Sequence, residues 1–268
     1  MLNRAGTLVA ATGFASGSIT FLNSVVAVDI DADGDMDAVA ARGETGQVIL
    51  LRNGGDGRFN AETLLSFGGQ RVRAVRAADT DGDAAPDVVV LTGNPAGGGA
   101  LTRVFRMING SPAPNPVVVP LSANGDINDI ALFDADGDGD VDIAALSVGV
   151  QKAILALNSA GEFASAGAFP IESATGETTT SAGAGLNASF SLCAGDFDGD
   201  GDMDIAAPYP SAAGGEGALN ILYNAPEPTT FRYRGDLFGG DAARAENWIA
   251  ETPFFIARAA SFLRAGST

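Results

Sequence analysis

One nine-residue phrase occurs four times in this chain, and no other feature limits its fold as severely. The copies read D-I-D-A-D-G-D-M-D from Asp29, D-T-D-G-D-A-A-P-D from Asp79, D-A-D-G-D-G-D-V-D from Asp134 and D-F-D-G-D-G-D-M-D from Asp196. Each places a carboxylate at positions 1, 3, 5 and 9. Alternate residues converge on one point when the chain curls, so this spacing wraps oxygen ligands around a hard cation, for which calcium is the natural candidate. The copies start 50, 55 and 62 residues apart. A recurrence of that length belongs to a propeller or a solenoid, in which each unit buries its apolar faces against its neighbours.

Charge follows the phrase. The chain has 33 acidic and 15 basic residues and a net charge of −18. Nineteen of the acids are aspartates of the four phrases, leaving 14 acids against 15 bases elsewhere. The negative charge is thus a property of four clusters, not of a diffuse acidic surface, and carboxylates packed so closely repel one another unless neutralised. No basic stripe exists to meet phosphates, which argues against a nucleic-acid partner. The chain has no histidine, which removes His-based acid–base catalysis and His-ligated zinc or iron. Its single cysteine, Cys193, permits no internal disulfide and, in an apolar run, reads as a small buried residue. No run is long and apolar enough for a helix to span a membrane, so no membrane insertion is expected. The first fourteen residues contain Arg4, Gly6, Thr7 and Gly13 and make a poor secretory signal. Thr7–Ala11 and Ser18–Leu22 read as strands.

The apolar residues come in short runs around each phrase. One run enters it: Val25–Val28, Ala74–Ala78, Ile130–Phe133 and Phe190–Cys193. A second leaves it: Asp37–Ala41, Asp87–Leu91, Asp142–Leu146 and Asp204–Ala207. A third follows a turn: Val48–Leu51, Leu101–Phe105, Ala153–Leu157 and Leu219–Tyr223. A fourth is usual, as in Thr63–Phe67 and Pro116–Leu121. Short apolar runs between turn residues are strands. The expected fold is all-β, a propeller or partial propeller of four to five four-stranded blades with the Asp-rich loops in inter-strand hairpins. The units span about 25–67, 74–121, 128–170 and 188–233, within one repeat domain. Ser173–Leu186 reads as a long insertion rich in small polar residues. In the tail, 234–268, Ile256–Ser261 resembles Ala74–Asp79 and marks a degenerate fifth unit without acids. The alternative there is an amphipathic helix over Ala242–Leu263, which Pro253 would interrupt.

Within each loop the candidate ligands are Asp29, Asp31, Asp33, Asp35 and Asp37; Asp79, Asp81, Asp83, Ala85 and Asp87; Asp134, Asp136, Asp138, Asp140 and Asp142; and Asp196, Asp198, Asp200, Asp202 and Asp204. Position 7 offers a backbone carbonyl, which is why Ala85 can stand there. Position 6 needs a sharply turned backbone, and Gly34, Gly139 and Gly201 supply it. Ala84 breaks that rule at about 1–2 kcal/mol, so the second of up to four calcium sites is expected to be the weakest, or to turn differently with the help of Gly82. An EF-hand is excluded, because position 12 is Ala40, Val90, Ala145 or Ala207 instead of a bidentate Glu. A strand-borne D-x-D phosphatase nucleophile would not come in four equivalent copies. Asp-Gly turns capped by their own side chains are the bland reading, and four matched copies leave it little room.

These residues resemble the FG-GAP and VCBS repeat families. The fourth unit carries Gly195-Asp-Phe-Asp-Gly-Asp-Gly, then Ala206-Ala-Pro208, then Gly217-Ala-Leu-Asn-Ile-Leu-Tyr223. The first ends Val48-Ile-Leu-Leu-Arg-Asn-Gly-Gly-Asp-Gly-Arg-Phe59, and Phe67-Gly68 matches the phenylalanine-glycine element. The resemblance implies an integrin-like propeller with calcium in its hairpins, outside the cell or at its surface, in an adhesive, recognition or scaffold role. Some members carry the repeats beside enzyme domains such as polysaccharide lyases.

The expected function is a binding or adhesion module stabilised by structural calcium, meeting a protein or glycan through its variable loops. Candidate loops are Gly93–Ala100, Ser122–Asn128, Ser173–Leu186 and Tyr209–Gly217, with Tyr209 as a stacking or packing aromatic. The alternatives are a carbohydrate-active enzyme, a lyase or glycosidase, and a fragment of a larger multidomain surface protein. No acid stands apart from the repeat pattern, which weighs against catalysis. The sequence sets neither the number of blades nor the oligomeric state.

Overall fold

In a computed structural model, the structure describes residues 2–4, 7–9, 22–56, 58–93, 99–121, 127–171, 191–209, 218–224, 231–232 and 259–261. Of these, β1 (Leu2–Arg4) and β2 (Thr7–Val9) form a short hairpin. Four antiparallel meanders follow. The first contains β3 (Leu22–Val28), β4 (Asp37–Arg42), β5 (Gln47–Asn53) and β6 (Phe59–Ser66), with a 3-10 turn at Gly43–Thr45. The second contains β7 (Arg71–Ala78), β8 (Asp87–Gly93) and β9 (Leu101–Phe105). A small hairpin, β10 (Met107–Ile108) and β11 (Ser111–Pro112), precedes its fourth strand, β12 (Val117–Val119). The third contains β13 (Asp129–Phe133), β14 (Asp142–Ser147), β15 (Lys152–Ser159) and β16 (Glu162–Pro170). The fourth contains β17 (Cys193–Gly195), β18 (Asp204–Tyr209), β19 (Ala218–Asn224) and β20 (Phe231–Arg232).

The described residues are therefore all-β, in the strand order the apolar runs indicate. Three differences stand out. Ala259–Ser261 forms a last strand, β21, but it pairs along β19 of the fourth sheet and does not open a new one; the rest of the tail lies outside the described residues. The Phe190–Cys193 run yields a ladder only from Cys193. Ahead of it, the Ser191 hydroxyl and the Leu192 N–H both donate to the Asp129 carboxylate, at 3.0 and 2.9 Å. Cys193 is exposed, not buried: Leu192 takes the inward place, and the next side chain in an extended segment points the other way. Of the strands expected near the start, Thr7–Val9 is present, and residues 18–21 are not among those described.

The core lies between sheets, not within them. Val39, Ala41, Val48 and Leu50 of the first sheet pack on Val72, Val75, Val88 and Val90 of the second. Val89 and Leu91, on the other face of β8, pack with Ile130, Ile143 and Ala145 of the third. Ala144 and Leu146 then meet Ile205 and Ala207 of the fourth. A strand buried on both faces loses the apolar–polar alternation, which is why β8 reads D-V-V-V-L without a break. The first strands lie beside one another, β3 against β7, β7 against β13 and β13 against β17. Four residues before each phrase, Val75, Ile130 and Leu192 are 0, 0 and 4% exposed, whereas Val25 of the first sheet is 64% exposed. Polar groups also join these strands. The Arg76 guanidinium donates to Asp129 Oδ1 at 2.7 Å and to Ser24 Oγ at 3.3 Å. Register shifts at Leu22/Ser24 and Val72/Ala74 leave Asn23 and Arg73 out of the ladder. Their side chains reach onward, Asn23 to the Val72 and Arg73 carbonyls and Arg73 to the Ile127 carbonyl.

Candidate metal centre

Each acidic phrase is the loop between the first and second strands of its sheet. Position 9 opens the second strand and is buried in all four copies. One of its oxygens accepts the N–H of position 2: Ile30 to Asp37 at 3.2 Å, Thr80 to Asp87 at 3.2 Å, Ala135 to Asp142 at 2.7 Å and Phe197 to Asp204 at 2.8 Å. The other accepts an N–H at the end of the third strand or, in the second sheet, just past it: Asn53 at 2.7 Å, Met107 at 3.1 Å, Asn158 at 2.7 Å and Asn224 at 2.7 Å. In the second loop the Thr80 hydroxyl also donates to Asp87. This aspartate therefore ties the loop's start to a strand two places away in the sheet.

Position 1 shapes the turn. Asp79, Asp134 and Asp196 each accept the N–H groups of positions 4 and 6, at distances from 2.6 to 3.2 Å. Asp29 accepts from Asp33 and Gly34 instead. Positions 4 and 6 take left-handed backbone in every copy. Position 4 is Ala32 (φ 58°), Gly82 (77°), Gly137 (77°) and Gly199 (81°). Position 6 is Gly34 (92°), Ala84 (67°), Gly139 (94°) and Gly201 (100°). The second loop thus makes the same turn as the others, with Ala84 forced into it. Two alanines, not one, sit where glycine is favoured.

The carboxylates converge in threes. Ligand atoms of Asp29, Asp31 and Asp33 lie within 4.8 Å of one another, as do those of Asp79, Asp81 and Asp87, of Asp134, Asp136 and Asp142, and of Asp196, Asp198 and Asp204. Positions 1 and 3 are common to all four. The third member is position 9 in the last three loops and position 5 in the first. Asp37 thus stands outside its trio, as do Asp83, Asp138 and Asp200, which are exposed and accept the N–H of position 7. At position 7, Asp140 caps the β15–β16 hairpin by accepting the Ala160 N–H at 2.8 Å.

Burial raises the pKa of the position-9 acids of the last three loops. Asp142 is pushed up to about 6 by burial against the opposing pull of the Asn158 and Ala135 amides. Asp87 and Asp204 shift the same way, burial leading in each. Asp136 is raised by burial and then by the charge of Asp138. Asp31 Oδ1 and Asp81 Oδ1 are buried with no hydrogen-bond donor on them. An all-oxygen carboxylate trio with an orphaned buried oxygen fits a hard divalent cation better than zinc or copper, which favour nitrogen and sulfur.

Several residues of the site carry no sequence mark of their own. Asn53, Asn158 and Asn224 lie at the end of the third strand in three copies. Asn158 reaches back to donate to the Thr80 carbonyl at 2.7 Å, and Asn224 to the Ala135 carbonyl at 2.6 Å, so the third and fourth sheets each grip position 2 of the preceding loop. The recurring asparagine, 16 or 20 residues after position 9, was the signal available. Arg52 pairs with Asp31, and Arg106 Nε lies 3.1 Å from Asp81 Oδ2. Burial pulls the Arg52 pKa down, and hydrogen bonds and charges from Glu62 and Asp31 raise it by more. The variable loops expected to meet a ligand lie largely outside the described residues.

Two stretches match family models: residues 29–90 an FG-GAP-like repeat and 189–221 an FG-GAP repeat. No curated protein matches the chain. Among solved structures it is similar to the exotype rhamnogalacturonan lyase YesX (18% identical, TM-score 0.41, covering 69% of this chain and 38% of that one). It is also similar to an Agrocybe aegerita lectin that recognises non-reducing terminal N-acetylglucosamine (19%, 0.35, 77% and 64%). A third is the V. cholerae biofilm matrix protein Bap1 (16%, 0.35, 74% and 36%). The chain spans less than two thirds of the length of each.

Proposed function

For a chain built from FG-GAP repeats, we propose a calcium-stabilised propeller that serves as an extracellular binding or adhesion module, with the ions in a structural role. The observation that carries this reading is the fourfold convergence of three carboxylate oxygens within 4.8 Å, each at the same hairpin of its sheet. Asp29, Asp31 and Asp33 would hold one ion, and positions 1, 3 and 9 would hold the others, with position 7 adding its carbonyl. When bound, the ion supplies charge neutralisation at crowded carboxylates. The protein's own part is to fix those carboxylates through backbone amides. Ligand binding to the native state alone adds folding stability, and extracellular calcium is abundant enough to fill weak sites.

The partner is a protein or glycan met by the variable loops on a rigid scaffold. Catalysis is the weaker reading. The acid with the most raised pKa, Asp142, is buried and has both oxygens occupied by backbone amides, so it is built as a strut. The test is a calorimetric calcium titration of chelator-treated protein with a melting curve at each end. Three or four ions per chain and a large rise in melting temperature are expected. No heat of binding together with an unmoved melting curve would overturn the calcium reading.

A further inference from the structure

We propose that Arg52 and Arg106 split the acidic loops into two electrostatic classes, so that the first and second loops take up a divalent cation more weakly than the third. The inference rests on the calcium reading above and concerns this chain's own counter-charges.

The two arginines hold one register position. Each immediately precedes the residue whose N–H caps the position-9 carboxylate: Arg52 before Asn53, Arg106 before Met107. In the third unit that place is Leu157, before Asn158. From it Arg52 reaches Oδ2 of Asp31, at position 3 of its loop, while its other nitrogen lies 3.3 Å from Glu62 Oε1. Arg106 reaches Oδ2 of Asp81, also at position 3, and donates to the Gly161 carbonyl of the next unit at 3.2 Å. Leu157 has no charge to offer Asp136, and no cationic side chain contacts Asp136 among the described residues.

A backbone segment of the following unit lies over each pair. Gly110 of the β10–β11 hairpin covers the Arg52–Asp31 pair, and a Cβ there would stand 3.0 Å from Asp31 Cβ and 3.4 Å from Arg52 Nη1. Gly161 covers the Arg106–Asp81 pair more tightly, with its notional Cβ 2.4 Å from Arg106 Nη2 and 2.8 Å from Asp81 Cβ. The positive charge therefore sits against position 3 of each loop and repels a second cation. Binding is weakened, not abolished, because Oδ1 of both aspartates stays without a donor. The same tether neutralises part of the carboxylate repulsion when no ion is bound, so the first two loops hold their shape in chelator better than the third.

The experiment is calcium calorimetry on the full chain and on Arg52→Leu and Leu157→Arg, which exchange the side chains found at one register. Hydrogen exchange of the loop amides with and without chelator accompanies it. Two classes of site are expected. Arg52→Leu should tighten one weak site roughly tenfold, and Leu157→Arg should weaken one strong site by a similar factor, the scale of one unit charge acting on a divalent ion about 6 Å away in a water-like medium. Chelator should raise exchange in the third loop more than in the first two. A single class of sites, with neither substitution moving any dissociation constant beyond about twofold, would overturn the proposal and leave the calcium reading standing. Absence of calcium binding altogether would overturn both.

Discussion

The second and third loops follow the same backbone route with different means. The third has glycine at both left-handed positions, Gly137 and Gly139. The second has Gly82 and then Ala84, which adopts φ 67° all the same. In both, position 1 accepts two amides of the turn, and position 9 binds position 2 and the end of the third strand. The loop's shape is thus set by carboxylate-to-amide hydrogen bonds. Glycine only lowers the cost of obeying them.

The largest effect that could break this comparison is removal of a position-9 acid. Asp142→Ala, measured by urea denaturation in chelator, leaves two buried N–H groups without acceptors and should cost about 4 kcal/mol. Asp87→Ala should cost about as much in the second loop, while Asp138→Ala, at an exposed position, should cost under about 1 kcal/mol. Equal losses at Asp138 and Asp142 would mean that the strut is not the source of the loop's shape. Next comes Asn158→Ala, which removes the bonds to the Thr80 and Val141 carbonyls and should lose about 2–3 kcal/mol. Asn53→Ala, whose amide bonds only within its own unit, should lose about 1 kcal/mol.

A pH series sharpens the contrast further. Burial raises the folded pKa of Asp142 to about 6, above the unfolded value of about 3.9. The folded state therefore binds that proton more tightly, so ion-free stability should fall as pH rises from about 4 to about 6 and level off above. Urea midpoints across that window in chelator measure it, and a rising curve would remove burial as the cause. The smallest expected effect is at the turn. Ala84→Gly should raise stability by roughly 1 kcal/mol, and Gly139→Ala, with nothing within 4 Å of its new Cβ, should lower it by about the same amount in thermal melts.

Much of this was legible in the sequence, because the ladder is local and the acids are periodic. Asp37, Asp87, Asp142 and Asp204 announce the second strand of each sheet as plainly as they close each phrase. The left-handed demand at position 4 was hidden, since Ala32 occupies it in the first copy and three glycines there look like ordinary turn residues. Arg52 and Arg106 were invisible because their partners come from a loop two strands earlier, and spacing along the chain does not encode that neighbour. Ala259–Ser261 shows the same limit. Its likeness to Ala77–Asp79 marks extended chain, but which strand it pairs with is decided by tertiary packing against β19.

The grip of the third and fourth sheets on the loops before them also imposes a timetable. Thr80 presents a carbonyl that waits for Asn158, 78 residues downstream, and Ala135 waits for Asn224 across 89 residues. At roughly 5–20 residues per second on a ribosome, the first of these waits lasts about 4–16 s. Over those intervals a growing chain trails one unfinished loop, whose crowded acids do not yet have the next sheet beside them. Emergence of the third unit completes the second, and that of the fourth completes the third.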